Sequence, residues 1–315
     1  MTTTESIRAE SIVRLEPSGK IGRLCEVLRA NALPADAPLA TQRERFETMT
    51  AGLPLGEGVT CSAVDAGGVP AEWVDPPGVG ADAPALLYFH GGGYGMGSLN
   101  TIRALVSQLA GATSARVLSV GYRLAPEHPW PAAVDDAVAA YGWLLQSGLD
   151  PSSVAFGGDS AGGGLTVAAM LALRDRGLPM PAAGVCISPW ADLTLSSPSL
   201  DRNAATDPEV NRATLARWAE LYLAGADPEN PLVSPVFGDL RGLPPLLIQA
   251  GTAEAIEDDA VRLAVAARSA GVAVTLELYE GMIHVWHAFA PRLPEATATI
   301  QRLAAWLQAQ WAAPE

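Results

Sequence analysis

The sequence predicts an α/β fold in which a mostly parallel sheet is flanked by helices, and three observations carry that expectation. After about residue 57, short runs of β-branched and large apolar residues alternate with helical stretches bounded by Gly or Pro. Two glycine clusters, HGGGYGMG (90–97) and GGDSAGGG (157–164), each stand directly behind an apolar run, where a strand would turn into a loop or helix. The chain has 315 residues and 49% hydrophobic content, ample for a single large core.

In chain order, VTCSAVDA (59–66) and VPAEWVD (69–75) flank Gly67 and Gly68 as a hairpin, with Pro70 suiting an edge strand. Six further strands follow: ALLYFH (85–90), RVLSVGYR (116–123), SVAFGG (153–158), GVCIS (184–188), PLLIQAG (245–251) and VTLELYE (274–280). Antiparallel pairing at the start therefore gives way to a parallel sheet of eight strands in all. Helices are expected over about 100–111, 132–148, 160–177, 257–271 and 294–311. Two regions break the rhythm: residues 1–50, rich in helix formers with Arg and Glu, and residues 190–230, inserted between two strands. Insertions after strands of such a sheet stand over its carboxyl edge, where ligands bind, so both regions are read as a cap on a catalytic domain spanning 51–315. There is no internal repeat or low-complexity tract.

Composition removes several function classes. A formal net charge of −14 disfavours nucleic acid as a partner. The basic residues are nineteen Arg and a single Lys, Lys20, so neither a Walker lysine nor an internal Schiff-base lysine is at hand. No cofactor is expected. The opening MTTTESIRAESIVRLEP is charged throughout and no stretch approaches the ~18 apolar residues of a membrane span, which points to a soluble, cytoplasmic protein. Cys25, Cys61 and Cys186 are too scattered for a zinc site or disulfide framework, and Cys186 reads as strand core.

The chemistry concentrates at Gly158-Asp159-Ser160-Ala161-Gly162, a GxSxG between a strand and a long helix. A serine on so sharp a turn needs tiny residues two positions before and after it. A lone GxSxG also arises where serine merely caps a helix, but the second glycine loop then has no explanation. A serine attacking a carbonyl creates an oxyanion, and that oxyanion needs rigid N–H donors. Gly92 and Gly93 offer them from the loop, and Ala161 from the helix N-terminus. Of the four histidines, His284 follows the last strand and so shares the sheet edge with Ser160; His287, a helical turn on, reads as scaffold. An HxxH metal pair at 284 and 287 lacks a third ligand nearby in sequence. The acid that orients the base falls in GTAEAIEDDA: Glu254 is the first choice and Asp258 the second, since the other acids open a helix.

With HGGGY, YRLAPEHPWP and GDSAGG in order, the chain resembles the bacterial carboxylesterases of the hormone-sensitive-lipase branch of the α/β-hydrolase fold over nearly its whole length. That resemblance implies an eight-stranded sheet, a cap built from the N-terminal helices and an insertion after the sixth strand, no cofactor or metal, and hydrolysis of small acyl esters. It also implies Ser160 as nucleophile, His284 as base and Gly92, Gly93 and Ala161 as oxyanion hole. Many relatives carry aspartate in a DPLRDE-like motif where this chain has Glu254. Arg123, Glu127 and Asp159 are expected as braces of the active-site loops through buried polar contacts. The stretch LPLGEGVTCSAVDAGGVPAEWVDPPG (53–78) is also similar to enzymes that open monoterpene lactones. Tyr94, Trp190, Trp218 and Tyr222 stand either along an apolar acyl or alcohol pocket or in the core. The expected activity is a serine carboxylesterase acting on short-acyl esters, lactones included. The rivals are a non-catalytic small-molecule-binding protein and an acyltransferase, and the sequence leaves monomer or homodimer open.

Overall fold

A computed structural model describes residues 3–312. The elements run α1 (Thr3–Glu10), β1 (Ile12–Val13), α2 (Ile21–Ala30), α3 (Leu39–Thr50), β2 (Thr60–Asp65), β3 (Pro70–Asp75), β4 (Ala85–Phe89), α4 (Leu99–Thr113), β5 (Arg116–Val120) and α5 (Ala132–Gln146). They continue with β6 (Val154–Asp159), α6 (Ala161–Asp175), β7 (Ala183–Ile187), α7 (Ser199–Arg202), α8 (Arg212–Leu223), β8 (Leu246–Gly251), α9 (Glu257–Ser269), β9 (Val274–Tyr279) and α10 (Pro294–Trp311).

The strands form one sheet in the order β1-β9-β8-β7-β6-β4-β5-β3-β2, parallel except where β3 meets β2 and β5. Eight strands are those read from the sequence. The ninth, β1, pairs Ile12 with Leu278 and Val13 with Tyr279; two residues carry no alternation, so nothing in SIVRLEP marks it. The hairpin turns at Gly67 and Gly68, both at positive φ, but the edge strand is β2. Pro70 instead opens β3 inside the sheet, where its carbonyl accepts the Gly121 N–H at 2.8 Å and a first-residue proline spares the ladder.

Alternation along the strands divides the core into two layers. Leu87, Phe89 and Phe156 pack with α5 and α6, while Leu86, Tyr88 and Ala155 pack with α4 and α10. A large apolar side chain buried this way is worth roughly 1.5–3 kcal/mol.

The topology places the site. From β4 the chain goes by α4 to β5 on one side, then by α5 to β6 on the other, so the winding direction reverses at the β4–β6 junction. Phe89 is in register with Gly158, and the segments after these two strands emerge side by side at the switch point, the usual position for a ligand crevice. The approach is close enough to dictate sequence: a Cβ on Gly162 would meet the Phe89 carbonyl oxygen, and one on Gly158 the Gly162 carbonyl.

Gly-to-Ala in a helix is ordinarily stabilising by ~1 kcal/mol. Gly162→Ala, although in the first turn of α6, is expected to cost about 3 kcal/mol or more because the clash is with backbone. Denaturant unfolding of the variant measures this, and a gain in stability would contradict the packing.

Candidate active site

Ser160 joins β6 to α6 at φ 54° and ψ −120°, a region that non-glycine residues avoid and that costs on the order of 1–3 kcal/mol. Its backbone is fixed on both sides. The Ser160 N–H donates to Ile187 O at 2.9 Å, and its carbonyl accepts from Trp190 N at 2.9 Å and Gly164 N at 3.1 Å. The hydroxyl makes no capping bond, so capping does not account for this serine.

Beside it, Gly92 and Gly93 take φ 117° and 60°, and Gly92 O closes the turn by accepting from Gly95 N (3.1 Å) and Met96 N (2.9 Å). Among the described residues, the amides of Gly92, Gly93 and Ala161 donate to no protein acceptor. Asp159 ties this loop to the elbow: its Oδ1 accepts from Gly91 N and Tyr88 OH, both at 3.1 Å. Burial pushes the Asp159 carboxyl up to about 6 against the opposing Tyr88 bond. His90 is a strut, stacked on Tyr122 at 4.3 Å with Nδ1–H donating to Gly91 O at 2.7 Å. Burial holds it down at about 4 and therefore neutral near pH 7.

From the other half of the sheet, Glu254 follows β8 and His284 follows β9. Glu254 Oε2 lies 2.7 Å from His284 Nδ1, and its Oε1 accepts the Gly251 N–H at 2.6 Å. The carboxylate sets Nδ1 as the donor, which leaves Nε2 free to take a proton. Burial pulls the imidazole down, but the bond to Glu254 and the charges of Glu254, Asp207 and Glu209 outweigh it, so His284 stands above its ordinary value. Burial in turn opposes ionisation of Glu254, while His284 and the Gly251 amide favour it. The His284 loop is joined to the elbow through β7: Ile187 O receives the Ser160 N–H, and the next residue, Ser188, accepts the Val285 N–H on Oγ at 3.2 Å.

The structure sorts the remaining sequence candidates. Asp258 is engaged elsewhere, by both Nη atoms of Arg202 at 2.8 and 2.9 Å. His287 is fully buried, with Nε2–H donating to Gln249 Oε1 at 3.1 Å. Tyr94, Trp190, Trp218 and Tyr222, which the sequence leaves between pocket wall and core, are buried, none more than 5% exposed. Tyr94 stacks on Tyr222 at 3.8 Å, and the Trp218 ring covers Gly93 and Gly95, so these aromatics back the glycine loop. Arg123 and Glu127 pair with separate partners: half-exposed Arg123 with the buried Asp136, and half-exposed Glu127 with Arg43.

Arg43 was not singled out by the sequence. It grips Glu127 through two 2.8 Å bonds and also donates to Gly95 O (2.8 Å) and Ala125 O (3.0 Å), locking α3 to the glycine loop. Asp207 was missed as well. Its carboxylate accepts from Glu209 N (3.0 Å), Val210 N (2.9 Å) and, across to the Glu254 loop, Ala255 N (2.7 Å). Both look like ordinary surface residues in sequence; RER and TDPE carry no signal beyond helix and turn. Among the described residues, no group of three or more His, Cys, Asp or Glu side chains is arranged to hold a metal ion, and no helix is long and apolar enough to cross a membrane.

A strained serine beside a glycine loop, on a switched parallel sheet, defines an α/β-hydrolase-type site, and residues 86–288 match the alpha/beta hydrolase fold family. The chain belongs to that family and, within it, to the hormone-sensitive-lipase-like esterases; it is a carboxylic ester hydrolase. An acetyl-hydrolase of Streptomyces hygroscopicus is 51% identical over 257 residues, 82% of this chain and 84% of the relative. An esterase from the bacterial hormone-sensitive lipase family superposes with TM-score 0.91 at 46% identity, covering 95% of this chain and all of the other. The esterase EstE5, in a crystal soaked with p-nitrophenyl butyrate, gives TM-score 0.90 at 45% identity, covering 93% of this chain and 99% of that one.

If His284 must be neutral to act, its raised pKa places the acid limb of kcat/KM above the ordinary ~6.5, with activity lost as pH falls through it. Glu254→Gln removes the charge that holds the proton and is expected to move the limb downward. A pH–rate profile of both proteins checks the direction of the shift. Arg43→Lys cannot reproduce the forked grip and is expected to lower kcat roughly tenfold with a smaller change in KM, as expected if the glycine loop it holds receives the oxyanion.

Proposed function

We propose that the protein hydrolyses small, short-acyl esters through a Ser160–His284–Glu254 triad. The observation that carries this reading is the 2.7 Å contact of buried Glu254 with His284, on the same sheet edge as the strained Ser160 and its unspent amides. In the proposed cycle Ser160 Oγ attacks the ester carbonyl as His284 Nε2 takes its proton. The Gly92, Gly93 and Ala161 amides receive the oxyanion, and His284 then protonates the departing alcohol. Water, deprotonated by the same ring, releases the acid from the acyl-serine.

Residues 1–50 and 190–230 serve as the cap over this edge. Arg217 of α8 donates to Ala35 O (2.6 Å) and Ala37 O (2.7 Å), which joins the two regions, and Arg29 of α2 donates to Ala205 O and Thr206 O. The aromatics Tyr94, Trp190, Trp218 and Tyr222 then support the oxyanion loop from behind. A short acyl group is favoured by the p-nitrophenyl butyrate used with a relative, and lactones, as cyclic esters, fall under the same chemistry.

Kinetics on p-nitrophenyl esters of increasing chain length, with a lactone panel alongside, test this. Acetate and butyrate are expected to exceed octanoate in kcat/KM. Glu254→Ala is expected to lower turnover ~10³–10⁴-fold and Asp258→Ala only marginally; the reverse ranking would overturn the assignment of the acid.

A further inference from the structure

Helices α2 and α3 and the segment leading into α10 enclose a cavity of about 270 Å³. Leu24 and the buried Leu28 come from α2, Met49 from α3, and Phe289 and the buried Leu293 from the segment before α10. None of Ser160, His284, Glu254, Gly92, Gly93 or Ala161 lines it, so the reaction proposed above leaves it without a task.

The charge of the lining runs against that of the chain. Lys20, Arg45 and Arg292 line the cavity and, among the described residues, no carboxylate does, although acids outnumber bases 34 to 20 over the sequence. The exposed Lys20 donates from Nζ to Arg292 O at 3.1 Å, and the exposed Arg292 donates from Nη2 to Gly52 O at 2.6 Å. Those carbonyls hold the two side chains in place and neutralise neither. Half-buried Arg45 has no hydrogen bond or ion pair among the described residues. Glu295 feels the charge of Lys20 but spends its oxygens on Ser18, accepting the N–H at 2.6 Å and the hydroxyl at 2.8 Å.

Three cations without a counter-charge around an apolar hollow are complementary to a ligand with one anionic end and a hydrocarbon body. The volume sets its size: about 270 Å³ falls at the lower end of the ~300–1,000 Å³ usual for ligand pockets, room for one chain of moderate length.

We infer that this cavity binds a medium-chain fatty acid anion, with its chain along the apolar wall and its carboxylate among Lys20, Arg45 and Arg292. Burial of the chain supplies the affinity and the cations select the head group. A ligand so placed clasps α2 and α3 to the segment that follows the His284 loop. It belongs to the class of acid that ester hydrolysis releases, yet its binding does not depend on the triad.

Calorimetric titration at pH 8 and low ionic strength, with each ligand below its micellar range, tests this. Decanoate is expected to bind about tenfold or more tightly than butyrate and more tightly than decyltrimethylammonium, although the net charge of −14 favours the cation. Added salt is expected to weaken it. Arg45→Gln, which breaks no protein contact, is expected to weaken decanoate about threefold or more. Val27→Asp places a carboxylate at a lining position that is 51% exposed and is expected to act in the same direction. Butyrate or decyltrimethylammonium binding as tightly as decanoate, or decanoate binding unchanged in both variants, overturns the inference. Thermal unfolding confirms that R45Q and V27D are folded. Decanoate is also expected to bind undiminished after a fluorophosphonate has blocked Ser160; loss of binding would place the ligand in the ester cleft and overturn the inference. Failure of the phosphonate to react counts against the triad alone, and the two variants still decide the cavity.

Discussion

The left-handed backbone at Ser160 is the constraint on which the rest of the structure depends. A serine at φ 54° and ψ −120° is held only because its N–H and carbonyl are both committed, to Ile187, Gly164 and Trp190, and because β6 can press against β4 without side chains at Gly158 and Gly162. That compression aligns the start of α6 with the HGGG loop, so one geometric demand explains both glycine clusters. The strain of the turn, on the order of 1–3 kcal/mol, is small against the apolar burial of β4 and β6 on either face.

Electrostatics complete the arrangement. Glu254 is wholly buried, a placement that would be strongly unfavourable for a lone carboxylate. Its two oxygens are taken up by the Gly251 amide and by His284, and the pair is therefore an interdependent unit in which each group keeps the other in its working state. Asp159 plays a comparable part on the opposite strand, joining the elbow to Gly91. Around these buried groups, Arg43 and Asp207 fasten the outer segments to the two halves of the site: one to the glycine loop, the other to the Glu254 loop.

The fold was legible where periodicity and glycine were strong. The strands from β2 to β9, the helices α4, α5, α6, α9 and α10, and the elbow lie close to where the pattern puts them, because each is long enough to show its period and is closed by Gly or Pro. The two-residue β1 carries no pattern at all. That Glu254 meets His284 at the sheet edge of Ser160 was legible because chain order after consecutive strands fixes which loops gather at one edge. The four aromatics could not be placed from sequence, since bulk and apolarity serve a pocket wall and a core equally. Arg43 and Asp207 were invisible for a different reason: their roles come from long-range hydrogen bonds, about which local residue type says nothing.

The central claim is that one hydroxyl, on a strained turn and served by a carboxylate-oriented imidazole, is the reactive group. Labelling with a fluorophosphonate followed by peptide mass spectrometry tests it most directly. The account predicts stoichiometric modification confined to Ser160, with labelling strongly slowed in His284→Ala. Failure of the folded protein to react, or modification at another residue with Ser160 untouched, would contradict it.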